Sequence, residues 1–154
     1  MDSKFLIKIN YVLFAFLFIF RCAYFNTFYN AEKSFVSAQK IIENSQLLDN
    51  SKISSEAETL LDNTIKNAKI VIKKYPNSKY IEKAYLLIGL SMFYKERYES
   101  SIKNLEKIIT SADSEITSEA YLWIAFSYLK LNNNEKVTYY INKLEKSKLD
   151  SENL

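Results

Sequence analysis

The segment Ala84-Tyr85-Leu86-Leu87-Ile88-Gly89-Leu90-Ser91 returns as Ala120-Tyr121-Leu122-Trp123-Ile124-Ala125-Phe126-Ser127. Five of the eight positions are identical, the others exchange apolar or small residues, and the offset is 36 residues. A shorter match lies upstream, where Thr64-Ile65-Lys66-Asn67-Ala68 parallels Ser101-Ile102-Lys103-Asn104-Leu105 at an offset of 37 residues. A period of this size means stacked supersecondary units, each too small to bury its own apolar face and each covering its neighbour. The units must be helical. One Gly and one Pro in 154 residues cannot supply the turns that β-rich folds need every few positions.

Each unit reads as two helices. In the middle unit, Tyr85, Ile88 and Met92, flanked by Leu86, Leu90 and Phe93, recur at helical spacing and predict a first helix over 80–95. Glu96-Arg97 makes the turn, and a second helix runs over 98–110 with Ile102, Leu105, Ile108 and Ile109 inward. The next unit predicts helices over 114–131 and 135–146, joined through Asn132 to Asn134, residues that tolerate left-handed backbone. Upstream, Ser55-Glu56-Ala57-Glu58 fits a capping box that opens a helix ending at Lys74, before the stop Tyr75-Pro76-Asn77-Ser78. A further helix is expected over 27–44, with Phe28, Ala31, Phe35 and Ala38 on one face, and the polar stretch 44–54 reads as a loop.

Composition removes most chemistry. There is no His, so the commonest general base and metal ligand are missing. A single Cys allows neither an internal disulfide nor a Cys-based zinc site, and a single Gly cannot build a phosphate-cradling loop. No catalytic residue, metal or cofactor is expected. Without residues 1–21 the chain carries 18 basic and 17 acidic residues, interspersed, which is no nucleic-acid footprint. The 12 Tyr follow helix spacing and read as core or interface rather than as a stacking platform for bases; Trp123 reads as core. Acidic pairs such as Glu56/Glu58 and Asp113/Glu115 fall at helix starts, where they complement the dipole.

The N-terminus is a separate problem. Lys4 and Lys8 precede an apolar run from Ile9 to Phe20, short for a bilayer span and suited to the apolar region of a signal peptide. Cys22 follows directly, as in bacterial lipoproteins, whose Cys is diacylated and becomes the first mature residue; the resemblance makes Cys22 the lipidation site. The small residue usual before that Cys is here Arg21. The alternative is an uncleaved anchor over 5–20 with Lys8 snorkelling to the interface.

The repeat resembles tetratricopeptide repeats. Tyr85 stands at the large aromatic position early in the first helix, Ile88-Gly89 at the Leu-Gly pair, Tyr98 at the aromatic opening the second helix, and Ser101 at the small residue where the helices cross. The last unit departs, with Asn134 at the aromatic position and Val137 at the small one. The expected fold is all-α: a tetratricopeptide-type solenoid of about two and a half to three helix-turn-helix repeats after an N-terminal signal or anchor. Residues 1–21 are the signal or anchor, 22–54 an N-terminal helix and linker, 55–147 the repeats and 148–154 a flexible tail. Cys22, the stretch from Ala23 to Ala31 and the punctuation Tyr75-Pro76-Asn77-Ser78-Lys79-Tyr80 also resemble the BamD-like outer-membrane lipoproteins.

These resemblances imply a cell-envelope protein facing the periplasm, tethered by a lipid or anchor, the outer membrane favoured over the inner. It would act as a protein–protein interaction scaffold. The alternative is an accessory subunit of an outer-membrane β-barrel assembly or secretion complex, and a distant one is a helical enzyme. The expected partner is a protein or peptide, not nucleic acid. Repeat solenoids bind along the face lined by their first helices. That mapping selects Leu86, Leu90, Phe93, Leu122, Phe126 and Leu129 as partner-binding residues, with Lys83, Tyr94, Glu119 and Lys130 beside them. The competing reading is that helix 27–44 folds over this stripe and buries it.

Overall fold

The computed structural model describes residues 25–45, 52–110 and 114–152. The segment 1–21, the lipidation site Cys22 and most of the linker after residue 45 lie outside the described residues. The described chain is all-helical: α1 covers residues 25–45, followed by α2 (Ser55–Lys74), α3 (Ile81–Tyr94), α4 (Tyr98–Leu105), α5 (Ser114–Lys130) and α6 (Asn134–Glu152).

The apolar patterns explain the order of packing. In α1 the buried residues are Phe28, Ala31, Phe35, Ala38 and Ile42, a strict three-four spacing that makes a single stripe. In α2 the buried stripe is Ala57, Leu61, Thr64, Ile65, Ala68 and Val71. By contrast α3 buries every residue from Leu86 to Ser91, as a helix that is apolar on all sides must when it sits at the centre. It packs against α2, α4 and α5. Against α1, Phe28 stacks on Tyr80 at 4.4 Å between ring centroids and Phe35 meets Tyr94 at 6.1 Å. These contacts pair the start of α1 with the start of α3 and the middle of α1 with the end of α3, so α1 runs parallel to α3.

Small residues mark the close approaches. Gly89 of α3 faces Leu105 of α4 with no room for a side chain between them. Ser101 of α4 and Ser127 of α5 are fully buried, and Ser127 Oγ donates to Ser101 Oγ at 3.3 Å. Thr64 Oγ1 bonds the Leu60 carbonyl at 2.9 Å and reaches the Ala31 carbonyl of α1 at 3.3 Å. The repeat is thus a repeat of burial: Ala84 and Ala120, Ile88 and Ile124, Ser91 and Ser127 are buried in pairs. Lys95 adds a polar tie. Its side chain is nearly buried, and Nζ lies 2.7 Å from Asp62 Oδ1 and 3.3 Å from Glu58 Oε1, fastening the α3–α4 turn to α2.

The two tight turns are also copies. Glu96 and Asn132 both adopt left-handed backbone, at φ 57° and 56°. In the first turn Arg97 N–H donates to the Met92 carbonyl and Glu96 N–H to Phe93; in the second Asn133 N–H donates to Tyr128 and Asn132 N–H to Leu129. Both are Schellman motifs. Asn133 then caps α6 through its side-chain oxygen, which accepts from Lys136 N–H at 3.1 Å. Glu is a poor residue for the left-handed position, since a Cβ there costs about 1 kcal/mol that Gly avoids. Glu96→Gly is therefore expected to raise unfolding stability by roughly 0.5–1 kcal/mol in a denaturant titration, and an unchanged midpoint would contradict this account of the turn.

Three expectations need correction. The cap of α2 is Ser54 rather than Ser55: its Oγ accepts from Ala57 N–H at 3.2 Å, because Ser54 is the residue left in extended backbone. The helix expected over 98–110 stops at Leu105. There the bonds shorten to three-residue spacing, Lys107 to Asn104 and Ile108 to Leu105, and the chain turns toward α5, where Thr117 Oγ1 meets the Ile108 carbonyl. Finally, α6 runs to Glu152, past the expected end at Lys146; no Gly or Pro interrupts the ladder there.

Tyr140 closes the α5–α6 interface. It is buried, stacks on Tyr128 at 5.7 Å, and its hydroxyl donates to Glu106 Oε1 at 3.3 Å. Burial first, and then the Glu106 charge, push its pKa well above the ordinary 10.0. The unfolded chain therefore deprotonates first. The contribution of Tyr140 is intact below about pH 10 and falls as pH rises beyond it. Urea melts between pH 8 and 11 should show this loss, and Tyr140→Phe should flatten it; an identical alkaline loss in the variant would clear Tyr140 of the effect.

Candidate interaction groove

The first helices of the three hairpins, α1, α3 and α5, lie side by side. Between them opens a cleft of roughly 240 Å³, lined by Phe28 and Glu32 of α1, Lys83, Leu86 and Leu87 of α3, and Glu115, Ile116 and Glu119 of α5. Three carboxylates face one ammonium, so the cleft is acidic. Partial burial raises the Glu119 pKa, a hydrogen bond from the Trp123 side chain opposes this, and the neighbouring Glu115 charge raises it further.

Beyond the cleft, toward the C-terminal ends of α3 and α5, the floor is aromatic. Trp123 meets Phe93 edge-on at 4.9 Å, Tyr94 at 5.8 Å and Phe126 at 5.6 Å. Tyr94 in turn contacts Phe35 of α1, and Phe93 contacts Tyr98 of α4. Edge-to-face geometry of this kind gives rigid contact area. Burial, followed by the charge of Glu43, raises the Tyr94 pKa against a hydrogen bond with Gln39, placing the end of α1 over the end of α3.

The stripe selected from the sequence is divided by this arrangement. Leu86 and Leu90 are buried and belong to the core. Phe93 and Leu122 are half-buried. Phe126 at 41% and Leu129 at 50% exposure are left open. Lys83 and Glu119 both line the cleft. Trp123, expected in the core, packs only partly buried against it as the centre of the aromatic floor. The sequence reading missed Phe28, Glu32, Leu87, Glu115 and Ile116 as cleft residues; the 115, 119, 122, 126, 129 spacing along α5 signals only Glu115 among them. Phe25, Tyr29 and Val36 form a second exposed apolar line, on the outer face of α1.

No family model matches the chain, and neither a curated protein nor a solved structure matches it. Among the described residues no group of three or more acidic, Cys or His side chains is placed to hold a metal ion, and no helix is long and apolar enough to cross a membrane.

Proposed function

We propose that this chain is a tetratricopeptide-type scaffold, tethered to a bacterial envelope membrane, that holds a protein or peptide partner along α5 and the acidic cleft. The solenoid reading is supported by the repetition, 36 residues apart, of buried small residues and of Schellman turns at Glu96 and Asn132. The single observation that carries the binding reading is the exposure of Phe126 and Leu129 beside a rigid aromatic cluster, since apolar side chains left open on an ordered helix face mark interaction surfaces. The tether rests on Lys4, Lys8, the apolar run from Ile9 to Phe20, and Cys22. With no His in the chain, the proposal makes it a binding protein rather than an enzyme. The segments from Ala23 to Ala31 and Tyr75 to Tyr80 favour, as a second reading, an accessory subunit of a β-barrel assembly or secretion complex.

Two measurements test this. The intact mass from the host's membrane fraction should lack residues 1–21 and carry acyl groups on Cys22; an unmodified full-length mass would replace the lipoprotein with a retained anchor. A photo-crosslinking residue at position 126 should give discrete protein adducts in cells, and one at exposed Lys69 on α2 should not. Equal adducts at both positions, or none, would sink the groove.

A further inference from the structure

The exposed face of α5 is graded along its length. Glu115, Glu119, Leu122, Phe126 and Leu129 follow one another at four-three-four-three spacing, which confines them to one stripe of the helix about 21 Å long. Its first half is acidic and its second half apolar. Glu32 of α1 enlarges the acidic end from across the cleft, and among the described residues Lys83 is the one cation lining it. The apolar end is the part left open to solvent.

We infer that the partner segment seated on this face is an amphipathic helix carrying a basic residue about two turns from its apolar residues. The inference deepens the groove reading and rests on it. Charge complementarity fixes the chemistry: an apolar segment with acidic residues at that distance would set like charges against Glu32 and Glu119, whereas Lys or Arg there gains an ion pair in a partly desolvated cleft. Glu119 and Phe126 are seven residues apart, about 10 Å along α5, the distance between residues i and i+7 of a helix lying alongside. The apolar end anchors the partner, and the acidic end sets its direction.

Trp123 makes the test direct, because it is the only Trp of the chain and touches Phe126. The full-length chain in phosphatidylcholine liposomes is titrated with two synthetic helical peptides identical except for Lys or Glu two turns from a Leu stripe, with Trp123 emission as readout. The Lys peptide is expected to bind about tenfold more tightly at low salt, the preference shrinking in 0.5 M salt. The double variant Glu32→Gln/Glu119→Gln should remove the preference while keeping the apolar contribution, and Phe126→Ser should weaken both peptides. Equal binding of both peptides, still weakened by Phe126→Ser, would overturn the basic partner and leave the groove. No change in Trp123 emission with either peptide, or binding indifferent to Phe126→Ser, would overturn both. So would emission that depends on the chain's own surface density in the liposomes and blocks the peptides, since a second copy would then occupy the stripe.

Discussion

Gly89→Ala is expected to destabilise the protein, although Ala is the better helix former by about 1 kcal/mol. A Cβ on Gly89 would lie 2.5 Å from Leu105 Cγ and 2.6 Å from Cδ2. Real Cβ atoms do not approach carbon so closely, so one partner must move. Leu105 cannot swing aside: it is fully buried, wedged between α3 and α4. The alternative is to push α4 away, which would disturb the Ser101–Ser127 contact on its far side. Overpacking of this kind costs about 1–3 kcal/mol, and more where the neighbour is backbone-bound. After the gain in helix propensity, the net loss should be roughly 1–2 kcal/mol, or several degrees in Tm for a domain of this size. Gly89→Val should unfold the chain at ambient temperature. The decisive comparison is the rescue: Leu105→Ala costs stability alone, but in the Gly89→Ala background it should cost much less, because the cavity and the added methyl coincide. Strict additivity of the two changes would show that Gly89 and Leu105 do not collide.

The second large effect separates two residues that the repeat makes equivalent. Leu90 and Phe126 stand 36 residues apart at matching positions. Leu90 is 4% exposed in the core, and Phe126 is 41% exposed on α5. Leu90→Glu removes a buried side chain, at about 2–5 kcal/mol, and leaves a carboxylate without solvent, at further cost. It should abolish cooperative unfolding. Phe126→Glu touches only the rim of the aromatic cluster and should change the midpoint by less than about 1 kcal/mol, while removing partner adducts. If Phe126→Glu also unfolded the protein, the open half of the stripe would be core and the binding reading would lose its surface. If Leu90→Glu stayed folded, Leu90 would not be core.

Helix type and register were legible before any coordinates. The three-four spacing of Phe28, Ala31, Phe35 and Ala38 located α1, Pro76 ended α2, and the Asn run located the α5–α6 turn, because these are local consequences of side-chain geometry and backbone torsion. The equivalence of Ala84 with Ala120 and of Ser91 with Ser127 was readable for the same reason: a position that must be small in one unit must be small in the next. The end of α4 at Leu105 was not readable, since the sequence through Thr110 is still helix-compatible and the stop there is followed by packing against α5, where Thr117 Oγ1 approaches the Ile108 carbonyl.

The candidate groove shows the same division more sharply. The sequence by itself determined the all-helical character of the described residues, the 36-residue period, and the line Glu119, Leu122, Phe126 and Leu129 along α5. Only the tertiary structure decided which apolar residues of the repeated stripe remain available, because burial depends on the neighbour and not on the residue. The lines that hold Leu86 and Leu90 in α3 and Leu122 and Phe126 in α5 are alike, yet the first is buried, while in the second Leu122 is half-buried and Phe126 is exposed. The placement of α1 brings Glu32 opposite Glu119, which are 87 residues apart, so the acidic end of the groove exists only once the hairpins have stacked.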